Sequence, residues 1–168
     1  RIRKQFYIEN TEKVGKLPIE KFDIIFSTTA GYRAALLANQ LEFDGEIVLY
    51  DYCQENLDIK QMIIEMNMSL KEIESYWKSR KLRIVNGSWR RRWPNYMSAR
   101  IDQYTFEDLR KLEEKMQRDY DIEYWLMDLI SPNYDKILEK IKGKSVFFDA
   151  TNIFSYHVSH AYYTLDEL

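Results

Sequence analysis

The chain has 168 residues, 45% of them apolar and 31% charged, with a formal net charge of −2. This size and composition suit one globular domain, and the charge gives no general attraction to nucleic acid or to an anionic membrane. The single cysteine, Cys53, excludes an internal disulfide; with no signal-peptide pattern and no apolar run of ~20 residues, a cytoplasmic protein without a membrane segment is expected.

Strands and helices alternate in the first half of the chain. A short apolar run over 22–27 predicts a buried strand, and the alanine- and leucine-rich segment 32–41 predicts a helix. A second buried strand is predicted over 47–50. Asn56 is then expected to cap a helix whose apolar stripe continues to about residue 79.

The alternation continues in the second half, after a segment of irregular pattern over 80–104. Thr105 and Asp108 predict a capping box at the start of another helix. The remaining elements are, in chain order, a strand over 122–127, a helix with Pro132 in its first turn and Gly143 at its end, and a strand over 145–149.

This order of elements is typical of a parallel sheet with right-handed crossovers. The sequence therefore predicts an α/β fold, a Rossmann-like and mainly parallel sheet flanked by helices. One domain over 1–168 is expected, with a helical insertion at about 56–120. The chain begins with Arg1 and not with Met, so it is expected to be part of a longer protein.

A nucleoside site is indicated where the first two predicted strands end. The first strand leads into a turn of small residues at a helix start, and Asp51 follows the second strand twenty residues after Gly31. Rossmann-type folds hold the ribose with an acidic residue at about this spacing. Tyr52, which follows Asp51, could stack on a base.

The order of elements resembles the class I S-adenosylmethionine-dependent methyltransferase superfamily over 22–52 and 120–157. The resemblance implies S-adenosylmethionine as cofactor and methyl transfer to an acceptor that the sequence does not identify. It also implies that the first turn faces the methionine part, that Asp51 binds the ribose hydroxyls, and that Asp128 meets the adenine amino group. The implied cofactor-binding residues are Ser27, Thr28, Thr29, Ala30, Gly31, Tyr32, Asp51, Tyr52, Asp128 and Leu129.

The loop after the last predicted strand is expected to face the transferred methyl group. The resemblance implies that Asn152, Tyr156 and His157 orient or deprotonate the acceptor. His157 and His160 are the only histidines and are too few for a metal site by themselves, so no metal is predicted. The first turn departs from the family in having one glycine, and this last loop departs from it in having no proline.

Two other functions remain open from the sequence. One is a nucleotide-binding Rossmann domain without catalysis. The other is an interaction module that uses the cluster Trp89, Arg90, Arg91, Arg92 and Trp93, since arginines between aromatic rings can grip phosphates and stack on exposed bases. The same cluster could equally pack its rings and pair its arginines with acidic neighbours, or recognise a substrate. Nothing in the sequence indicates an oligomeric state.

Overall fold

The structure is a computed structural model that describes residues 5–7, 17–80, 83–85, 100–101, 104–129 and 132–150. Its strands are β1 (Gln5–Tyr7), β2 (Ile24–Thr28), β3 (Glu46–Asp51), β4 (Arg83–Val85), β5 (Arg100–Ile101), β6 (Tyr104–Thr105), β7 (Ile122–Leu126) and β8 (Val146–Phe148). Its helices are α1 (Arg33–Gln40), α2 (Gln54–Glu65), α3 (Leu70–Arg80), α4 (Phe106–Asp119) and α5 (Tyr134–Ile141).

Four parallel strands form the main sheet of the described residues, in the order β7-β3-β2-β8. If these four strands are numbered 1 to 4 in chain order, their order across the sheet is 3-2-1-4, which matches the first four positions of the Rossmann order 3-2-1-4-5-6. The order reverses between β2 and β8. The prediction of a Rossmann-like α/β fold is therefore confirmed. Two small strand pairs accompany this sheet, β1 with β4 in parallel and β5 with β6 in antiparallel.

Both faces of the main sheet carry helices because the strand side chains alternate between the faces. Ile25, Ile47 and Leu49 belong to one buried cluster, together with residues of α1, α2 and α4. Ile24 and Phe26 belong to the cluster on the other face, where side chains of α5 pack against them. No helix in the described part of the chain is long and apolar enough to cross a membrane.

The segment predicted as one helix over 56–79 forms two helices, α2 and α3. The break is a Schellman motif, in which Asn67 adopts a left-handed conformation with φ of 45°. The Met68 N–H donates to the Ile63 carbonyl at 3.1 Å and the Asn67 N–H to the Ile64 carbonyl at 3.2 Å. The apolar stripe continues across this break, which is why the pattern alone predicted a single helix.

The structure confirms one predicted helix start and places two others differently. The capping box of Thr105 and Asp108 is confirmed, with both reciprocal hydrogen bonds present. The prediction for Pro132 was wrong, because Asn133 caps α5 through a bond from the Lys136 N–H at 3.1 Å and Pro132 precedes the cap. Asn56 lies inside α2, which begins two residues earlier.

Candidate functional site

The carboxyl ends of the four parallel strands lie along one edge of the main sheet. Backbone hydrogen bonds extend the pairing just past the strand ends. Thr29 donates to the Tyr50 carbonyl at 3.2 Å, Met127 to the Asp51 carbonyl at 2.9 Å, and Asp149 to the Phe26 carbonyl at 2.8 Å. Ligands of open parallel sheets bind at such an edge, near the reversal of strand order.

The turn after β2 leads directly into the N-terminus of α1. Gly31 has φ of 66°, a left-handed conformation that glycine adopts without strain. Tyr32 takes the N-cap position, and its side chain makes no capping hydrogen bond within the described residues. The first N–H groups of a helix attract negatively charged or polar ligand atoms. This turn therefore brings the N-terminus of α1 to the carboxyl edge of the main sheet.

Asp51 lies at the end of β3, beside this turn. Its Oδ2 accepts a hydrogen bond from the Thr29 hydroxyl at 2.5 Å, and its Oδ1 accepts one from the Cys53 N–H at 2.9 Å. The Asn56 amide lies farther away, at 3.3 and 3.4 Å from the two oxygens. The structure therefore brings the two parts of the predicted nucleoside site, the turn and the acidic residue, into direct contact.

Burial is the largest influence on the pKa of Asp51 and raises it above the ordinary value of 3.8. The hydrogen bonds from Thr29, Cys53 and Asn56 lower the pKa but do not offset the burial. The carboxyl group is thus held in a partly buried place where an ionised form is costly.

A buried ion pair lies at the reversal of strand order, between β2 and β8. Asp149 follows β8, and its Oδ2 accepts from Arg33 Nε at 2.6 Å and from the Ser27 hydroxyl at 3.1 Å. The Arg33 and Asp149 side chains are 8% and 3% exposed. Tyr50, whose pKa burial raises, stays a neutral donor and binds the Asp149 carbonyl at 2.7 Å. Buried side chains of the protein itself thus fill the place where the strand order reverses.

The other predicted cofactor residues lie at or next to the same edge. Thr28 is the last residue of β2, and Ala30 belongs to the turn that follows it. Tyr52 is 68% exposed. Asp128 is exposed just past β7, and Leu129 packs against the α5 side of the sheet.

Sequence reasoning missed three residues that the structure places around the turn. Arg33 was assigned only to a predicted helix, and Asp149 only to the end of a predicted strand. Lys60 was not singled out, yet its Nζ donates to the Gly31 carbonyl at 2.8 Å. A charged residue inside an otherwise apolar stripe was the one local signal for Lys60.

Several predicted residues lie outside the described part of the chain. These are the predicted catalytic residues Asn152, Tyr156 and His157, with His160, and the cluster Trp89, Arg90, Arg91, Arg92 and Trp93. Their assignments stay predictions.

The chain matches no protein-family model, no curated protein and no solved structure. Its function is therefore inferred from the residues at the edge of the sheet.

Proposed function

We propose that the chain binds S-adenosylmethionine at the carboxyl edge of its main sheet and is a methyltransferase for an unidentified acceptor. The observation that carries this proposal is the contact between Asp51, at the end of β3, and Thr29, in the turn after β2. It places a carboxylate beside a helix N-terminus and next to the strand-order reversal, a combination that suits a nucleoside with a polar tail.

The groups at this edge fit an adenosine ligand. Asp51 oxygens can accept ribose hydroxyls, and the exposed Tyr52 ring offers a face to a base. Asp51 already accepts from Thr29, from the Tyr52 and Cys53 N–H groups and from Asn56. The Asn56 bonds are the longest, so a ribose would displace the Asn56 amide at the smallest cost.

The remaining assignments are part of the same proposal. The N-terminus of α1 would attract the carboxylate of the methionine part, and Asp128 with Leu129 would border the adenine. When bound, S-adenosylmethionine supplies a methyl group that is already activated. The contribution of the chain is then to hold the acceptor in place, which we assign to Asn152, Tyr156 and His157. A cytoplasmic location, in keeping with one unpaired cysteine, completes the proposal.

Titration calorimetry of the full chain tests the ligand class, with S-adenosylmethionine, S-adenosylhomocysteine and NAD as separate titrants. The first two should bind. Binding of NAD alone would support a nucleotide-binding domain without methyl transfer. If none of the three binds at millimolar concentration, the nucleoside proposal is wrong.

The role of Asp51 is tested by Asp51→Ala. Losing hydrogen bonds to a charged group costs about 1–3 kcal/mol, so Kd for S-adenosylhomocysteine should rise by about 5- to 150-fold. The matched control is Asp58→Asn, which removes an exposed carboxylate from α2. It should leave Kd unchanged. Equal affinities of Asp51→Ala and the wild type would exclude Asp51 as the ribose ligand.

A further inference from the structure

A buried chain of charges runs from α4 through α2 to the turn after β2. The Lys60 and Glu113 side chains are 5% and 1% exposed and form an ion pair. Arg110, three residues before Glu113 in α4, binds the same carboxylate. At one end, Lys60 Nζ donates to the Gly31 carbonyl at 2.8 Å and lies 5.1 Å from the Tyr32 ring centre. At the other end, an Arg110 amino group donates to the Met68 carbonyl at 2.6 Å.

Stability is a weak explanation for this network. Desolvating buried charges is so costly that apolar side chains of similar volume often give the folded protein the same stability or more. What apolar side chains cannot do is hold a backbone carbonyl in one direction. Each end of the network holds a carbonyl at a left-handed turn, at Gly31 itself and at Met68, which follows Asn67.

The direction of the Gly31 carbonyl matters because the peptide unit is planar. In a trans peptide, the carbonyl of one residue and the N–H of the next point in opposite directions. Because the Gly31 carbonyl points at Lys60 Nζ, the Tyr32 N–H of the same peptide unit points away from Lys60. Tyr32 is the N-cap of α1, so this N–H belongs to the turn that would meet the ligand.

We propose that Lys60 is a positioning residue that sets the direction of the Tyr32 N–H and thereby the ligand affinity of the turn. Glu113 holds Lys60 in place through their buried ion pair. This inference rests on the proposed function, because it assigns a role within the same ligand site.

The test compares Lys60→Met with Arg110→Met in the full chain. Both variants break the ion network, but only the first removes the donor to Gly31. Lys60→Met should raise Kd for S-adenosylhomocysteine by about 10- to 100-fold. Arg110→Met should lower the urea midpoint while Kd stays within about threefold of the wild type, since a threefold change is less than the loss of one hydrogen bond. Equal effects of the two variants on Kd would overturn the proposal.

Lys60→Met takes the Lys60 partner away from the buried Glu113 carboxylate and could for that reason prevent folding. A double variant then provides the test. Lys60→Met/Glu113→Gln removes the two charges of the Lys60–Glu113 pair together, keeps an acceptor for Arg110 and is expected to fold. It still lacks the donor to Gly31, so its Kd should stay raised. A return of the double variant to wild-type affinity would show that only the unpaired charge mattered.

An amide spectrum of the ligand-free protein separates this inference from the proposed function. The Tyr32 amide resonance should move in Lys60→Met and in the double variant but not in Arg110→Met. If the wild type binds no adenosine compound, the proposed function fails, and the Tyr32 resonance alone decides whether Lys60 positions the turn. An unmoved Tyr32 resonance in Lys60→Met would overturn the positioning role.

Discussion

Asp51 carries an electrostatic cost that its local hydrogen bonds do not remove. Burial raises its pKa although Thr29, Cys53 and Asn56 all donate to the carboxylate. A neutral Asn or Ser could accept the Cys53 N–H at the start of α2 without that cost. The proposed ribose ligand, which donates hydrogen bonds, would account for a carboxylate at this place.

The raised pKa of Asp51 predicts a pH dependence that the neutral variant Asp51→Asn lacks. The unfolded chain loses this proton near pH 3.8, whereas the folded protein keeps it to higher pH. The unfolded state therefore binds fewer protons in this interval, and stability from this group falls as pH rises, until the folded pKa is passed. Urea unfolding at pH 4 and pH 7 should show that the wild type loses stability relative to Asp51→Asn as pH rises. The opposite trend would show that Asp51 is stabilised as an ion in the folded protein.

Contacts of single residues were predictable where they are close in sequence. The contact of Asp51 with Thr29 follows from a spacing that short strands and a tight turn make almost obligatory. Arg33 and Asp149 are separated by 116 positions, and no local pattern pairs them. The fold brings them together because β8 pairs with β2, which is a property of the sheet and not of either segment.

The backbone is strained at the end of α1. Glu42 follows α1 with φ of 47°, and the Phe43 N–H donates to the Ala38 carbonyl at 2.9 Å, as in a Schellman motif. Glycine adopts this conformation most easily, and other residues pay about 1 kcal/mol for it. We therefore expect Glu42→Gly to raise the free energy of unfolding by about 0.5–1 kcal/mol in urea titrations.

The matched control is Gln40→Gly, an exposed position two residues earlier and inside α1. There the backbone is helical, so glycine should lower stability by about 0.5–1 kcal/mol. Opposite signs for Glu42→Gly and Gln40→Gly would confirm the left-handed end of α1. A loss of stability in both variants would contradict it.

The strands and helices around the main sheet were predictable because their apolar runs are short and strongly patterned. The break between α2 and α3 was not, because Asn67 replaces the usual glycine and the apolar stripe runs on across it. The start of α5 was misplaced for a related reason. Pro132 and Asn133 both signal a helix start, and only the geometry of the cap shows which one begins it.

The ion pair of Arg33 and Asp149 joins the start of α1 to the residue that follows β8. Removing one partner leaves an uncompensated buried charge, so Arg33→Met should lower the free energy of unfolding by about 3–5 kcal/mol. The double variant Arg33→Met/Asp149→Asn removes both charges and keeps an acceptor for Ser27, so it should recover most of this loss. Urea unfolding of both single variants and the double variant measures the coupling. Additive losses would show that the pair is not coupled.

The architecture of the whole molecule was more predictable than its ligand. Alternating strands and helices led to a parallel Rossmann-like sheet, and the strand order β7-β3-β2-β8 agrees with it. The same architecture serves many unrelated functions, so it does not select S-adenosylmethionine over another nucleoside. That choice depends on a few side chains at one edge, and some of the predicted ones lie outside the described residues.

The pairing of β2 with β8 has a consequence for the newly made protein on the ribosome. β2 and β3 are close in sequence and can pair early, but β8 emerges roughly 100 residues after β3, about 5–20 s later at ordinary translation rates. During that interval one edge of β2 is without its native partner and is open to other chains. Asp149 follows β8 directly. Arg33, at the start of α1, therefore lacks its carboxylate partner until nearly all of the described residues have been synthesised. The pairing of β2 with β8 is thus the last contact among these four strands to form.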